Sequence, residues 1–217
     1  PRSRGLGDVY KRQVQSIGNV WMSHPEFDQL LSFLFHSHAC PGVQPGFFIT
    51  DFIQENFPLG ENESYKYIGS SIYCKDDSLI YLLGISPGMG DYFLQKLPGN
   101  ETDSTYADGA KDEGVLIVWD SNLNIGRAVI ITYTSAKLKK VAVNTPDANR
   151  HVQIQTYLDI YAKKDNSLVI SKPTVESNEE KWITYEQYLE LTSGSKDLNA
   201  LSYLKGLPSA VSYTHLR

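Results

Sequence analysis

Apolar residues at Phe27, Leu30, Leu31 and Leu34 recur at helical spacing, which predicts a helix over 25–35 that runs directly into His36. A second helix is expected over 42–57, with Phe47, Phe48, Phe52 and Ile53 on or near one face. Pro45 suits its first turn, where the fixed φ and missing N–H of proline cost little. Pro58-Leu59-Gly60-Glu61-Asn62 breaks the pattern. Residues 67–74 read as a short buried strand ending at Cys74, after which Asp76 or Asp77 caps a helix through Leu83 and Gly84 stops it. Ser86 to Asp91 form a glycine-rich turn, and 99–112 a polar, exposed loop. The β-rich runs 115–120 and 127–135 flank a polar turn at 121–126, a hairpin signal. Beyond them, 147–163 reads as a helix with an Asp cap and with Val152, Leu158 and Tyr161 inward. Residues 168–170 suggest a short strand, and 182–191 and 197–204 suggest small helices. The sum is an α+β fold: helices packed on a mostly antiparallel sheet, with a helical C-terminal extension.

Composition narrows the field. The 217 residues, 41% of them hydrophobic, suit one domain of ordinary size with room for a small appendage. A net charge of -5 gives no basic footprint, so nucleic acid is not an expected partner. No apolar run approaches the ~20 residues of a membrane helix, so no membrane span is expected. Two cysteines are too few for a disulfide scaffold or a four-cysteine zinc ribbon. A bound metal would have to draw on histidine, carboxylate or water as well.

The two ends carry an unusual signature. Asp8-Val-Tyr-Lys-Arg-Gln13 can be encoded by GATGTGTATAAGAGACAG, and the reverse complement of that string reads Val-Ser-Tyr-Thr-His from Val211, followed by Leu216. Residues 1–13 and 209–217 are therefore expected to be translated adapter sequence, and His215 is discounted as a ligand.

The chemistry concentrates in His36-Ser-His38-Ala-Cys40-Pro-Gly42. Two imidazoles and a thiol within five residues are side chains that hold zinc and related ions. The Cys-Pro-Gly step places the thiol near a helix entrance, where backbone amides and the helix dipole would favour a thiolate. The plain alternative is a helix terminus whose polar groups bond to backbone, with Cys40 as a small hydrophobe. Residues two apart project to opposite sides of a strand, so convergence needs a bend, which the Pro-Gly step can supply. His38 with Cys40 is the preferred pair, and His36 is expected to support a ligand rather than to lead. Asp77 is most simply a helix cap, and Gly88-Met-Gly90 most simply a tight turn rather than an anion cradle. His151 reads as a surface residue at a helix start.

These motifs together resemble the FmdE family, which takes its name from the formylmethanofuran dehydrogenase operon of methanogens. That family carries a His-Gly-His-x-Cys-Pro-Gly segment, then a cysteine followed three residues later by an aspartate, then a glycine-rich region. The resemblance aligns His36, His38, Cys40, Pro41 and Gly42 with the first motif, Cys74 and Asp77 with the second, and Gly84, Gly88 and Gly90 with the third. Ser37 replaces the usual glycine, Met89 a common lysine and Leu83 a common threonine; the cysteine-rich zinc tail of some members has no counterpart after Cys74. The resemblance implies that Cys74 lies near the first motif. It supplies a fold rather than a reaction.

Three functions follow as expectations. The first is a metal-dependent protein that holds a divalent ion, zinc foremost, through His38, Cys40 and Cys74, with His36 and Asp77 just outside as supporting or occasional ligands. The second is a thiol-redox protein with Cys40 as nucleophile and Cys74 as resolving thiol. The third is a non-catalytic accessory module that captures a small-molecule or metal-bearing ligand; a homodimer is left open. The metal or thiol domain is expected over 14–135, with 136–208 packed on it.

Overall fold

The computed structural model describes residues 6–95, 110–134, 154, 174–194 and 198–208. The chain opens with α1 (Leu6–Trp21), α2 (Phe27–Phe35) and α3 (Pro45–Asn56), then β1 (Glu63–Gly69) and α4 (Lys75–Leu83). A 3-10 turn at Pro87–Met89 leads to β2 (Tyr92–Leu94), and the long hairpin β3 (Lys111–Asp120) and β4 (Ile125–Thr134) follows. Last come β5 (Thr174–Ser177), β6 (Lys181–Thr184), α5 (Tyr185–Thr192) and α6 (Ala200–Gly206). The fold is α+β. One sheet runs β2-β1-β3-β4-β5, with β6 pairing the other end of β4, and only β1 with β2 is parallel.

The hairpin shows why the sheet has two covered faces. Leu116 and Val118 on β3, with Val129, Ile131 and Tyr133 on β4, pack on Ile49 and Ile53 of α3 and Leu79 of α4. The alternate residues Val115, Ile117, Trp119, Ala128 and Ile130 pack on Ile183, Leu191, Leu201 and Leu204 of the C-terminal elements. Period-two alternation therefore disappears into a continuous apolar run, as it must when helices cover both faces. Gly114 lets β1 approach: a Cβ there would stand 2.4 Å from the Ile68 carbonyl oxygen. A third, smaller cluster joins Val20, Phe33, Ala39, Cys40, Val43, Phe47 and Ile154, and it carries the site.

Several expectations hold closely. The helices at α2, α3 and α4 lie where the periodicity puts them, Pro45 is at the first turn of α3, and Gly84 ends α4 at φ 66. Others need correction. The strand expected over 67–74 is β1, which ends at Gly69; Cys74 is instead the N-cap of α4. The chain leaves the sheet because Ser70 N–H donates to the Glu113 carbonyl and Asp76 then takes Tyr73 N–H into a turn. Lys111 and Asp112, expected in a loop, belong to β3. Trp182 and Ile183, expected in a helix, form β6, because Thr184 caps α5 with a reciprocal Thr184–Gln187 box and fixes the start one residue later. The expected helix at 147–163 lies outside the described residues except for Ile154, which is helical. The strand at 168–170, His151 and His215 lie outside them entirely, as do residues 1–5 and 209–217. Residues 6–13, read as adapter, form the first turns of α1.

Candidate metal centre

The site begins at the end of α2. Phe33, fully buried and edge-on to Phe47, seats the helix, and His36 is its C-cap in right-handed geometry. Ser37 then adopts φ 67, the left-handed conformation usual for glycine just past a helix end. This reversal brings the rings of His36 and His38 onto the same side, with centroids 4.4 Å apart. The bend that convergence requires is thus at Ser37, not at the Pro-Gly step. A side chain at this φ costs about 1–2 kcal/mol.

One donor atom each from His36, His38 and Cys40 lies within 4.8 Å of the others. Cys40 Sγ is 3.6 Å from His36 Nε2. The opposite nitrogen, His36 Nδ1, donates to Asp77 Oδ2 at 2.6 Å. With Nδ1 turned to Asp77, Nε2 faces the thiol. His36 therefore stands directly beside Cys40, with Asp77 behind it.

Cys74 enters from α4. A Cβ placed on Gly42 would meet Cys74 Sγ at 3.2 Å and Cys40 Sγ at 3.7 Å, so the two sulfurs flank the bare Gly42 backbone. Both cysteines are free thiols. Burial pushes the Cys40 thiol up to about 11, helped by the charge of Cys74 and a hydrogen bond to it, while the Val43 and Gly42 amides pull the other way. The amides expected to favour a thiolate are present, but desolvation outweighs them. Without a cation Cys40 is a protonated thiol at neutral pH.

Tetrahedral zinc, with about 2.0–2.1 Å to nitrogen and about 2.3 Å to sulfur, requires an N···S edge of about 3.5–3.6 Å. The His36–Cys40 separation of 3.6 Å meets it. The wider span of 4.8 Å across the whole set calls for a modest side-chain adjustment. The residues present fit a zinc-like ion.

Comparison with known families agrees with this geometry. A family model described as FmdE, Molybdenum formylmethanofuran dehydrogenase operon, matches residues 35–171, well over half of the chain. The chain belongs to the FmdE family. No individual curated protein matches it. The match begins at Phe35, immediately before the paired histidines, so the His-x-His-x-Cys segment falls inside the FmdE region. Among the described residues no helix is long and apolar enough to cross a membrane.

The other singled-out residues behave differently. The Ser86–Asp91 turn spends its amides internally: Met89 N–H donates to Ser86, Gly90 N–H to Pro87 O and Asp91 N–H to Ser86 O. It is a tight turn and leaves no anion cradle. Neither Asp76 nor Asp77 caps α4, whose N-cap Cys74 makes no side-chain cap bond; Asp76 instead takes Tyr73 N–H at 2.8 Å, just ahead of the helix. Sequence reasoning missed a buried ionic group behind Cys74. Lys75 is fully buried, 2.8 Å from Asp76 and 3.4 Å from Glu113. Burial pushes the Glu113 carboxyl up, with Lys75 opposing. The one signal in the sequence was a lysine in the first turn of a helix, where the dipole disfavours a cation.

Proposed function

We propose that this FmdE-family chain is a metal-dependent protein in which His36, His38 and Cys40 hold a divalent ion, zinc by preference. The observation that carries the reading is the 3.6 Å edge between His36 Nε2 and Cys40 Sγ, with Asp77 fixing the far side of the same ring. Asp77 orients His36 and raises its basicity, as carboxylates behind zinc-bound histidines do. Cys74, whose sulfur lies beside that of Cys40 across Gly42, would orient the ligating sulfur. Three protein donors would leave a position for water or substrate, and a zinc ion there supplies Lewis acidity and an acidified water. Elemental analysis of chain purified from metal-supplemented medium tests this: stoichiometric zinc is expected, and absence of bound metal would sink it.

A second reading has its own observation. The closeness of Cys74 to Cys40 across Gly42 favours a thiol pair that opens and closes a disulfide. Thiol titration separates the two. The redox reading requires a reversible disulfide with no need of metal, whereas metal that blocks alkylation of Cys40 favours the first.

A further inference from the structure

Lys75 is the residue immediately after Cys74 and the first residue of α4. Its place is costly on two counts. A cation in a first helical turn opposes the helix dipole, and a buried ammonium forfeits its hydration. An apolar side chain would fill the same core space at less expense, so packing alone does not account for the lysine. What the lysine does is bind. Its Nζ donates to the Ser71 carbonyl oxygen and to Asp76 Oδ1, and lies 3.4 Å from Glu113 of β3.

The partners close around Cys74 from both sides. Before it, Ser70 and Ser71 donate their N–H groups to the Glu113 carbonyl. Tyr73 donates its N–H to Asp76 Oδ2 at 2.8 Å and its hydroxyl to Glu113 Oε1 at 3.2 Å. After it, Asp76 Oδ1 also accepts from Tyr92 OH of β2 at 2.6 Å. The loop and the first turn of α4 are thus tied to two strands of the sheet. Cys74 and Asp77, three residues apart, share the opposite face of that turn, which looks toward Cys40 and His36. A local rule is broken where the turn carries site residues, and such breaks gather at functional sites.

We propose that Lys75, Asp76 and Glu113 are positioning residues: a buried clamp that locks the first turn of α4 to β3 and so holds Cys74 against Cys40 and Asp77 against His36. Its metal arm rests on the zinc reading above; its thiol arm does not.

The test uses the full chain, stripped of metal, in glutathione buffers. Cys40 and Cys74 give two electrons and two protons to oxidised glutathione, yielding one protein disulfide and two reduced glutathiones. The equilibrium reports the effective concentration of one thiol at the other. Lys75→Met and Glu113→Gln are expected to lower it by about tenfold to a hundredfold, the range seen when supporting residues around a site are removed. Val129→Ala, a sheet-core substitution chosen for a matching fall in melting temperature, is expected to leave it unchanged. If Lys75→Met fails to fold, Glu113→Gln and the milder Tyr92→Phe decide. Folded clamp variants with the parental value overturn the proposal, as does a control that falls equally or a parent that forms no such disulfide. Co²⁺ titration of the same set is expected to show the same order of affinity loss. A parent that binds no Co²⁺ overturns the metal reading alone, and the glutathione result still decides the clamp.

Discussion

Gly42→Ala isolates the geometry of the two sulfurs better than removal of either thiol. Gly42 is not in the left-handed region, so alanine can keep its backbone and the effect is steric. The new methyl would stand 3.2 Å from both Cβ and Sγ of Cys74 and 3.7 Å from Cys40 Sγ. Relaxed contacts between heavy atoms lie at about 3.5–4.0 Å, so Cys74 must retreat by about 0.3–0.8 Å. A metal site tolerates errors of about 0.2 Å in its bond lengths, so a shift of this size at the residue supporting the ligating sulfur exceeds the margin. Zinc affinity should fall by about tenfold, or roughly 1.4 kcal/mol. Overpacking should also cost the metal-free fold about 1–3 kcal/mol. Competition titration against a chromogenic chelator measures the first, and thermal melts of the stripped chain the second. Parental affinity together with parental formation of the Cys40–Cys74 disulfide would refute the reasoning, because the sulfurs could not then flank Gly42.

Four further outcomes follow from the same structure. Asp77→Ala should weaken zinc by about tenfold to a hundredfold, with Asp77→Asn milder because its amide oxygen can still accept from His36 Nδ1; equal affinities in parent and Asp77→Ala would remove the carboxylate from the site. Ser37→Gly should stabilise the chain by up to about 1 kcal/mol, the relief of left-handed strain less the added freedom of glycine when unfolded, and a lower melting temperature would count against the bend at Ser37. Phe33→Ala should cost about 3–5 kcal/mol, read by denaturant unfolding, since a fully buried ring leaves a cavity under the site. Cys40 holds its proton more tightly folded than unfolded, so its contribution is fully present below pH 9.0 and is lost as pH rises toward about 11. The melting temperature of the metal-free parent should therefore fall across that window more than that of Cys40→Ala, and Cys40 alkylation near neutral pH should be slow.

Local sequence determined the helices that carry the site and the segment that supplies its donors. The apolar spacing of Phe27, Leu30, Leu31 and Leu34, Pro45 at a first turn and Gly84 at a helix end each act within a few residues, so they are legible without a fold. His36, His38 and Cys40 are likewise near neighbours, and the FmdE resemblance follows from their spacing. Tertiary structure decided how these residues face one another. His36 took its place beside Cys40 because Asp77, 41 residues away, holds its far nitrogen. Cys40 became a protonated thiol because burial in a third cluster outweighs the amides beside it. Trp182 and Ile183 became a strand because β4 offered an edge to pair with, a contact across more than fifty residues that no helical periodicity can report. Lys75, whose charge opposes the dipole of the helix it opens, is paired with Glu113 on a distant strand as well as with its neighbour Asp76. Propensity acts over a turn of helix, while desolvation and ion pairing depend on what the whole chain brings together.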